Sequence, residues 1–251
     1  MITIYWAGDS TVKQNTILTY PQTGIGQAFD RYINRWNVRV ENHAENGRST
    51  KSFIDEGRLA MIYDRMTAGD YMFIQFGHND EKIEDPARYS DAEVEFCENL
   101  ERFVNTARNK KVKPVFITPL ARRLFAEKDE TYRHTAWAEA MKRTGERLNV
   151  PVIDLTAMSE ALVDEMGAEN AKTSLYMNIP AGVYPAFPNG LADGTHLQPL
   201  GAMTFAGLVA KGLYELGGEY AELLCAGYEQ FLARDEDLIA EIQKEGADER
   251  R

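Results

Sequence analysis

Four short stretches carry most of the residue types that could do chemistry: Gly8-Asp9-Ser10, Glu45-Asn46-Gly47-Arg48, Gly77-His78-Asn79-Asp80 and Asp193-Gly194-Thr195-His196. Ser10 closes the run 2–10, ITIYWAGDS, in which apolar and β-prone residues give way to Gly, Asp and Ser. A buried parallel strand delivers a hydroxyl to the edge of a sheet in this way. The same three residues also compose an ordinary turn followed by a helix N-cap. Read as a nucleophile, Ser10 needs a base, because a serine hydroxyl is weakly nucleophilic at neutral pH and histidine has the unperturbed pKa that suits the task.

The chain offers four histidines. His43 lies inside a predicted strand, where a satisfied core or interface role is expected, and His134 sits among residues that read as an exposed helix. His78 falls in a loop and could line a pocket. His196 stands three residues after Asp193 in a predicted non-helical turn. That spacing lets the carboxylate hold the imidazole Nδ1–H while Nε2 faces the serine. His196 is therefore the expected base, although an Asp-x-x-His pair alone also fits a capping aspartate beside a surface histidine. Acyl transfer further requires donors aimed at the developing oxyanion, each worth about 3 kcal/mol. The backbone N–H groups of Ser10 and Gly47 and the side-chain amide of Asn79 are available. Singly, Gly47 and Asn79 read as turn residues; three loops supplying a nucleophile and matching donors are harder to assign to turns.

The elements that must position these groups alternate. After Ser10 a loop leads to a helix over 25–34, a strand over 38–44, and N-cap candidates Ser49 and Thr50 before helical segments carrying Phe53, Ile54, Leu59, Met61 and Ile62. A strand over 71–76 follows, then a polar loop and a helix over 91–109 with Val94, Cys97, Leu100, Val104 and Ala107 near one face. Next come a strand over 114–118, a loop carrying Arg122 and Arg123, a helix over 131–148, a short strand over 152–155 and a helix to 166. Residues 179–194, rich in Pro, Gly and Asn, are too long for a simple connector and read as a functional loop. Helices over 199–216 and 219–244 close the chain. Gly24-Ile25-Gly26 lacks the strand–GxGxxG–helix context of a dinucleotide site. Five alternations predict a parallel α/β sheet covered on both faces, with ligands beyond the carboxyl ends of the strands, where Ser10, Gly47 and Asn79 all fall.

The 251 residues fit one large α/β domain. With 27% charged residues and no apolar run near the ~20 residues of a membrane span, no membrane segment is expected. The formal charge of −11 argues against a duplex nucleic-acid surface. Met1 leads directly into the first strand, without a basic start, an export region or a cleavage site, which predicts a cytoplasmic protein. Cys97 and Cys225 are far apart and read as buried free thiols, and neither a metal site nor a cofactor is indicated.

Together Gly8-Asp9-Ser10-Thr11, the stretch from Asn42 through Gly47-Arg48-Ser49, Gln75-Phe76-Gly77-His78-Asn79-Asp80 and Asp193-Gly194-Thr195-His196 resemble the four signature blocks of the SGNH (GDSL) hydrolases. Within that superfamily the blocks are most similar to those of the rhamnogalacturonan acetylesterase group. The resemblance implies a flavodoxin-like three-layer α/β/α sandwich with a five-stranded parallel sheet, a Ser10–His196–Asp193 triad, and an oxyanion hole of Ser10, Gly47 and Asn79. It implies removal of O-acetyl groups from an acetylated, pectic carbohydrate. The alternatives are another acyl-ester hydrolase, acting on xylan acetyl groups, lipids or thioesters, and a carbohydrate-binding protein without catalysis. For an acidic sugar, Arg48, His78, Arg122 and Arg123 are the expected substrate contacts, since arginine grips a carboxylate through two parallel hydrogen bonds.

Overall fold

The computed structural model describes residues 1–122 and 134–248. The N-terminal apolar run forms β1 (Ile2–Gly8), whose alternation decides how the sheet is covered. Ile4 and Trp6 enter one apolar layer and Tyr5 and Ala7 the other, as the period of two along a strand requires. The chain continues through α1 (Ile25–Ala28), β2 (Val38–Asn42), α2 (Thr50–Asp55), α3 (Arg58–Arg65), β3 (Tyr71–Gln75), α4 (Glu95–Asn109), β4 (Lys113–Ile117), α5 (Thr135–Leu148) and β5 (Val152–Ile153). It then forms α6 (Leu155–Met166), α7 (Ala168–Ser174), β6 (Tyr176–Ile179), β7 (Leu191–Leu197), α8 (Pro199–Leu216), α9 (Gly218–Ala221) and α10 (Glu229–Asp248).

The first five strands make one parallel sheet in the order β2-β1-β3-β4-β5, the flavodoxin-like order expected from the resemblance. One face is packed by residues such as Val163, Phe205, Val209 and Ile239 from α6, α8 and α10, the other by Phe53, Ile62, Phe96, Phe103 and Met141 from α2 to α5. Registers fix the active edge: Gly8 pairs with Gln75 and Trp6 with Asn42, so the chain leaves β1, β3 and β2 at the same carboxyl end. The order reverses between β1 and β3, and a crevice forms at such a point.

Several boundaries differ from the sequence expectation for local reasons. The helix expected from residue 91 begins at Glu95, because Asp91 Oδ1 takes the N–H groups of Glu93 and Val94 in a turn. The strand expected to reach residue 155 stops at Ile153, because Asp154 caps α6 through the Ala157 N–H. The helix expected over 25–34 is one short α-turn followed by a 3₁₀ turn, and Ile33 is drawn into a bridge with Leu224. The last expected helix is split into α9 and α10, with the Cys225 N–H bonded to the Tyr32 carbonyl in the gap. Residues 179–194 are not all loop: β6 and β7 pair antiparallel, and Asp193 to His196 lie on strand β7. Cys97 and Cys225 are free but only half-buried. Among the described residues no helix is long and apolar enough to cross a membrane.

Candidate active site

The turn after β1 is built around Asp9, whose buried Oδ1 accepts from the N–H of Thr11 at 2.9 Å and from its hydroxyl at 2.7 Å. Gly24 lets α1 close over this turn: a Cβ built there would meet the Lys13 carbonyl oxygen at 2.2 Å. The Gly24–Gly26 pair thus serves backbone packing behind Ser10. Ser10 is left at the surface of the crevice, and its Oγ is 2.9 Å from His196 Nε2. His196 Nδ1 is in turn 2.6 Å from Asp193 Oδ2, so the carboxylate accepts Nδ1–H and leaves Nε2 unprotonated toward the serine.

Asp193 is held by three further hydrogen bonds. Its Oδ1 accepts from the N–H groups of Thr195 at 2.7 Å and His196 at 3.1 Å, and Asn178 on β6 donates to its carbonyl. Burial alone would raise this carboxyl; the hydrogen bond and charge of His196, with the two backbone N–H groups, outweigh it and hold the group at about 2. It is ionised throughout the neutral range.

The loops after β2 and β3 leave the sheet at the same edge as Ser10 and carry donors. Gly47 adopts φ +74°, the left-handed region in which a Cβ is strained, and this turns its peptide at the mouth of the loop. Ser49 then starts α2 with a reciprocal cap to Ser52, so of the two candidates it is Ser49 that caps. Thr50 is tied instead to Asp80 of the β3 loop, its N–H and hydroxyl donating to Oδ1 at 2.9 and 2.5 Å. That link locks the two donor loops together. Asn79 is buried, and its Nδ2 gives one hydrogen to the Arg48 carbonyl at 3.0 Å, which leaves the second open. Among the described residues, no protein acceptor takes the N–H of Ser10 or of Gly47. A hydroxyl, an oriented imidazole and three donors with a free hydrogen, all at one sheet edge, are the parts that acyl transfer requires.

Residues 7–202 match the family described as GDSL-like lipase/acylhydrolase. The chain belongs to that family. It is 42% identical to rhamnogalacturonan acetylesterase RhgT of Bacillus subtilis, over 86% of this chain and 91% of the relative. It is 36% identical to the probable rhamnogalacturonan acetylesterase YesY of the same organism, over 85% of this chain and 93% of the relative. Among solved structures, protein YxiM of Bacillus subtilis superposes with a TM-score of 0.72 at 25% identity, over 87% of this chain and 57% of that longer one.

The structure brings Ser10, Asp193, His196, Gly47 and Asn79 to one edge, but it gives other partners to the expected substrate contacts. The Arg48 guanidinium turns to Glu56 at 2.9 Å and to the Asn46 carbonyl; its backbone oxygen is the part that serves the site. His78 is buried with Nδ1 3.2 Å from Asp9 Oδ2, behind the nucleophile turn and away from any surface a substrate reaches. This pairing, with the Thr11 hydrogen bonds, outweighs the effect of burial and holds the Asp9 carboxyl low. Arg122 donates from Nη1 to Glu81 at 2.7 Å and from Nε to the Thr195 hydroxyl at 2.9 Å. Arg123 lies outside the described residues. His134 is not on an exposed helix face: it is the residue before α5, buried, with Nδ1 2.5 Å from Glu81 and its ring 4.2 Å from that of His78. Burial pushes His134 down to about 4, so it is neutral and donates Nδ1–H to Glu81.

Proposed function

We propose that this protein is a serine acetylesterase that removes O-acetyl groups from rhamnogalacturonan or its oligosaccharides. The observation that carries the reading is the Ser10 Oγ–His196 Nε2–Asp193 relay, at 2.9 and 2.6 Å, at the sheet edge where the loops of Gly47 and Asn79 also lie. His196 Nε2 takes the Ser10 proton as Oγ attacks the acetyl carbonyl carbon. The N–H groups of Ser10 and Gly47 and the free Nδ2–H of Asn79 stabilise the oxyanion. The tetrahedral adduct collapses, the sugar oxygen leaves with the proton from His196, and an acetyl-serine remains. Water, deprotonated by His196, attacks that ester and releases acetate and Ser10.

The substrate class rests on two supports. Two relatives similar over most of the chain carry the name rhamnogalacturonan acetylesterase, one of them as probable. On a chain of net charge −11, the β3 loop that carries Asn79 also carries one cation outside the ion pairs of Arg48, Arg88 and Arg122. Lys82, in the same loop as Asn79, has no carboxylate at ion-pair distance among the described residues, and burial with the charges of Arg88 and Arg122 pulls its ammonium below the ordinary lysine range. Such a group favours an anionic saccharide over a neutral one. Acetate release from acetylated rhamnogalacturonan fragments, compared with acetyl-xylan and long-chain esters, tests the reading. Wild type should prefer the pectic substrate, and Ser10→Ala should lose activity by about a thousandfold or more with its melting temperature unchanged. A Ser10→Ala variant that keeps a tenth of the turnover would refute the nucleophile.

A further inference from the structure

Asn79 can serve an oxyanion only one way round. Its amide carries two donors on nitrogen and two lone pairs on oxygen, and a half-turn about the last side-chain bond would aim the lone pairs at the developing negative charge. Two contacts decide the orientation. Nδ2 donates to the Arg48 carbonyl at 3.0 Å, and Oδ1 accepts from Arg88 Nη1 at 3.3 Å. In the flipped amide, Oδ1 would face the Arg48 carbonyl, acceptor against acceptor, and Nδ2 would face the guanidinium, donor against donor.

Arg88 is itself fixed. Its Nε donates to Asp85 Oδ2 at 2.5 Å, and the other oxygen of that carboxylate takes the Ala87 N–H at 3.1 Å. The same guanidinium borders the second donor loop, since a Cβ built on Gly47 would lie 3.5 Å from Nη1. The Arg48 carbonyl secures the nitrogen end of the amide, and Arg88 secures the oxygen end and sets a permanent positive charge against it. That charge draws electron density toward Oδ1 and makes the free Nδ2–H a stronger donor.

We propose that Arg88 is a positioning residue of the oxyanion hole: it touches no reacting atom and acts through Asn79, holding the amide with its nitrogen toward the crevice. The orientation stands on geometry alone, and only its effect on rate rests on the esterase reading above. Arg88→Met removes the charge and the donor at similar length. On p-nitrophenyl acetate it should lower kcat about 10- to 100-fold with KM within about twofold, less than the loss expected when an oxyanion donor itself is deleted. Introduced into Asn79→Ala, the same change should cost less than about threefold more, since residues that act through one another are not additive. Arg88→Lys, which keeps the charge without the planar fork, should recover part of kcat. Should Arg88→Met fail to fold, Arg88→Gln, which also removes the charge, carries the same comparisons. Losses that add in the double variant, or a rise in KM at unchanged kcat, would overturn the proposal.

A second readout is independent of turnover. The Asn79 side-chain NH₂ pair, assigned in ¹⁵N–¹H spectra by its disappearance in Asn79→Ala, should shift and broaden in Arg88→Met. An unmoved pair overturns the proposal even if the variant is slow. A wild-type protein without esterase activity whose Asn79 amide still responds to Arg88 would refute the functional reading and sustain this one.

Discussion

Arg122 and Thr195 stand 73 positions apart in the chain and 2.9 Å apart in the fold, the guanidinium Nε donating to the threonine hydroxyl. Through Nη1 the same guanidinium reaches Glu81, which also takes Nδ1–H of His134. Thr195 in turn gives its N–H to Asp193. The β3 loop, the residue before α5 and strand β7 are thereby joined behind the His196 imidazole.

Arg122→Gln should accordingly act on the whole site rather than on one substrate class. The Arg122 side chain is 15% exposed and that of Glu81 10%, so the change leaves a largely buried carboxylate short of its cation. Removing one partner of such a pair costs about 3 kcal/mol. Urea unfolding at neutral pH should show that loss, and kcat should fall on neutral p-nitrophenyl acetate as well as on acidic saccharides. Intact stability with a KM rise confined to acidic saccharides would instead make Arg122 a substrate ligand.

Asp193→Asn tests the tautomer. The amide oxygen can keep the N–H groups of Thr195 and His196, but the amide nitrogen then confronts His196 Nδ1 as a donor and forces the proton onto Nε2. The imidazole can no longer accept from Ser10, and kcat should fall by about 10⁴. The carboxyl sits at about 2 in the fold, below its usual value. Its contribution to stability is present above the unfolded value of about 4 and is lost as pH falls through the folded one. Wild type should therefore lose its stability advantage over Asp193→Asn as pH drops from about 5 to about 2. An advantage constant over that range would mean that Asp193 is not held ionised by His196.

Ser10, Gly47, Asn79, Asp193 and His196 were legible in the sequence because each falls in a short block whose residue types are demanded by backbone geometry or by proton transfer. The sheet was legible because the runs at 71–76 and 114–118 are apolar and bounded by turn residues. The strand at 191–197 was hidden: LADGTHL is half-exposed and contains the Asp-Gly pair of a turn, and only pairing with β6 makes it extended. Arg88 and His134 were hidden for another reason. Nothing local distinguishes an arginine that reaches a buried amide from one in solvent, and His134 is buried by Glu81 and His78 from a distant loop. The sequence reading of Arg122 as a substrate contact missed Glu81, whose carboxylate occupies the guanidinium first.

Asp80 supplies a pH test that does not depend on catalysis. Burial raises its carboxyl to about 7, further than the Thr50 hydrogen bonds pull it back. The folded protein thus keeps a proton that the unfolded chain gives up near pH 4, and the resulting stability is full below that value and lost as pH rises through about 7. Asp80→Asn keeps an acceptor for Thr50 and cannot ionise. Measured by urea unfolding, the variant should gain on wild type steadily between about pH 4 and about pH 7. A gap that stays constant or moves the other way would show that the carboxyl is ionised in the fold.

Lys82 decides whether the substrate is acidic. Arg48 is committed to Glu56 and Arg122 to Glu81, which leaves Lys82 as the cation of the β3 loop with no carboxylate partner among the described residues. A half-buried ammonium with no carboxylate at ion-pair distance, beside guanidinium groups already paired with Glu81 and Asp85, gains when a sugar carboxylate enters. Attraction that reaches the sugar carboxylate through solvent is screened beyond a Debye length of about 8 Å at physiological salt, so the gain should be largest at low ionic strength. Lys82→Met should raise KM for acetylated rhamnogalacturonan fragments roughly 5- to 20-fold at low salt, about the worth of one charge-assisted hydrogen bond. The difference should narrow at high salt, and p-nitrophenyl acetate should be hydrolysed as by wild type. Equal losses on both substrates would mean that the loop carrying Asn79 has been disturbed. No change on either would remove the electrostatic case for an anionic sugar and leave the similarity to the two relatives as its one support.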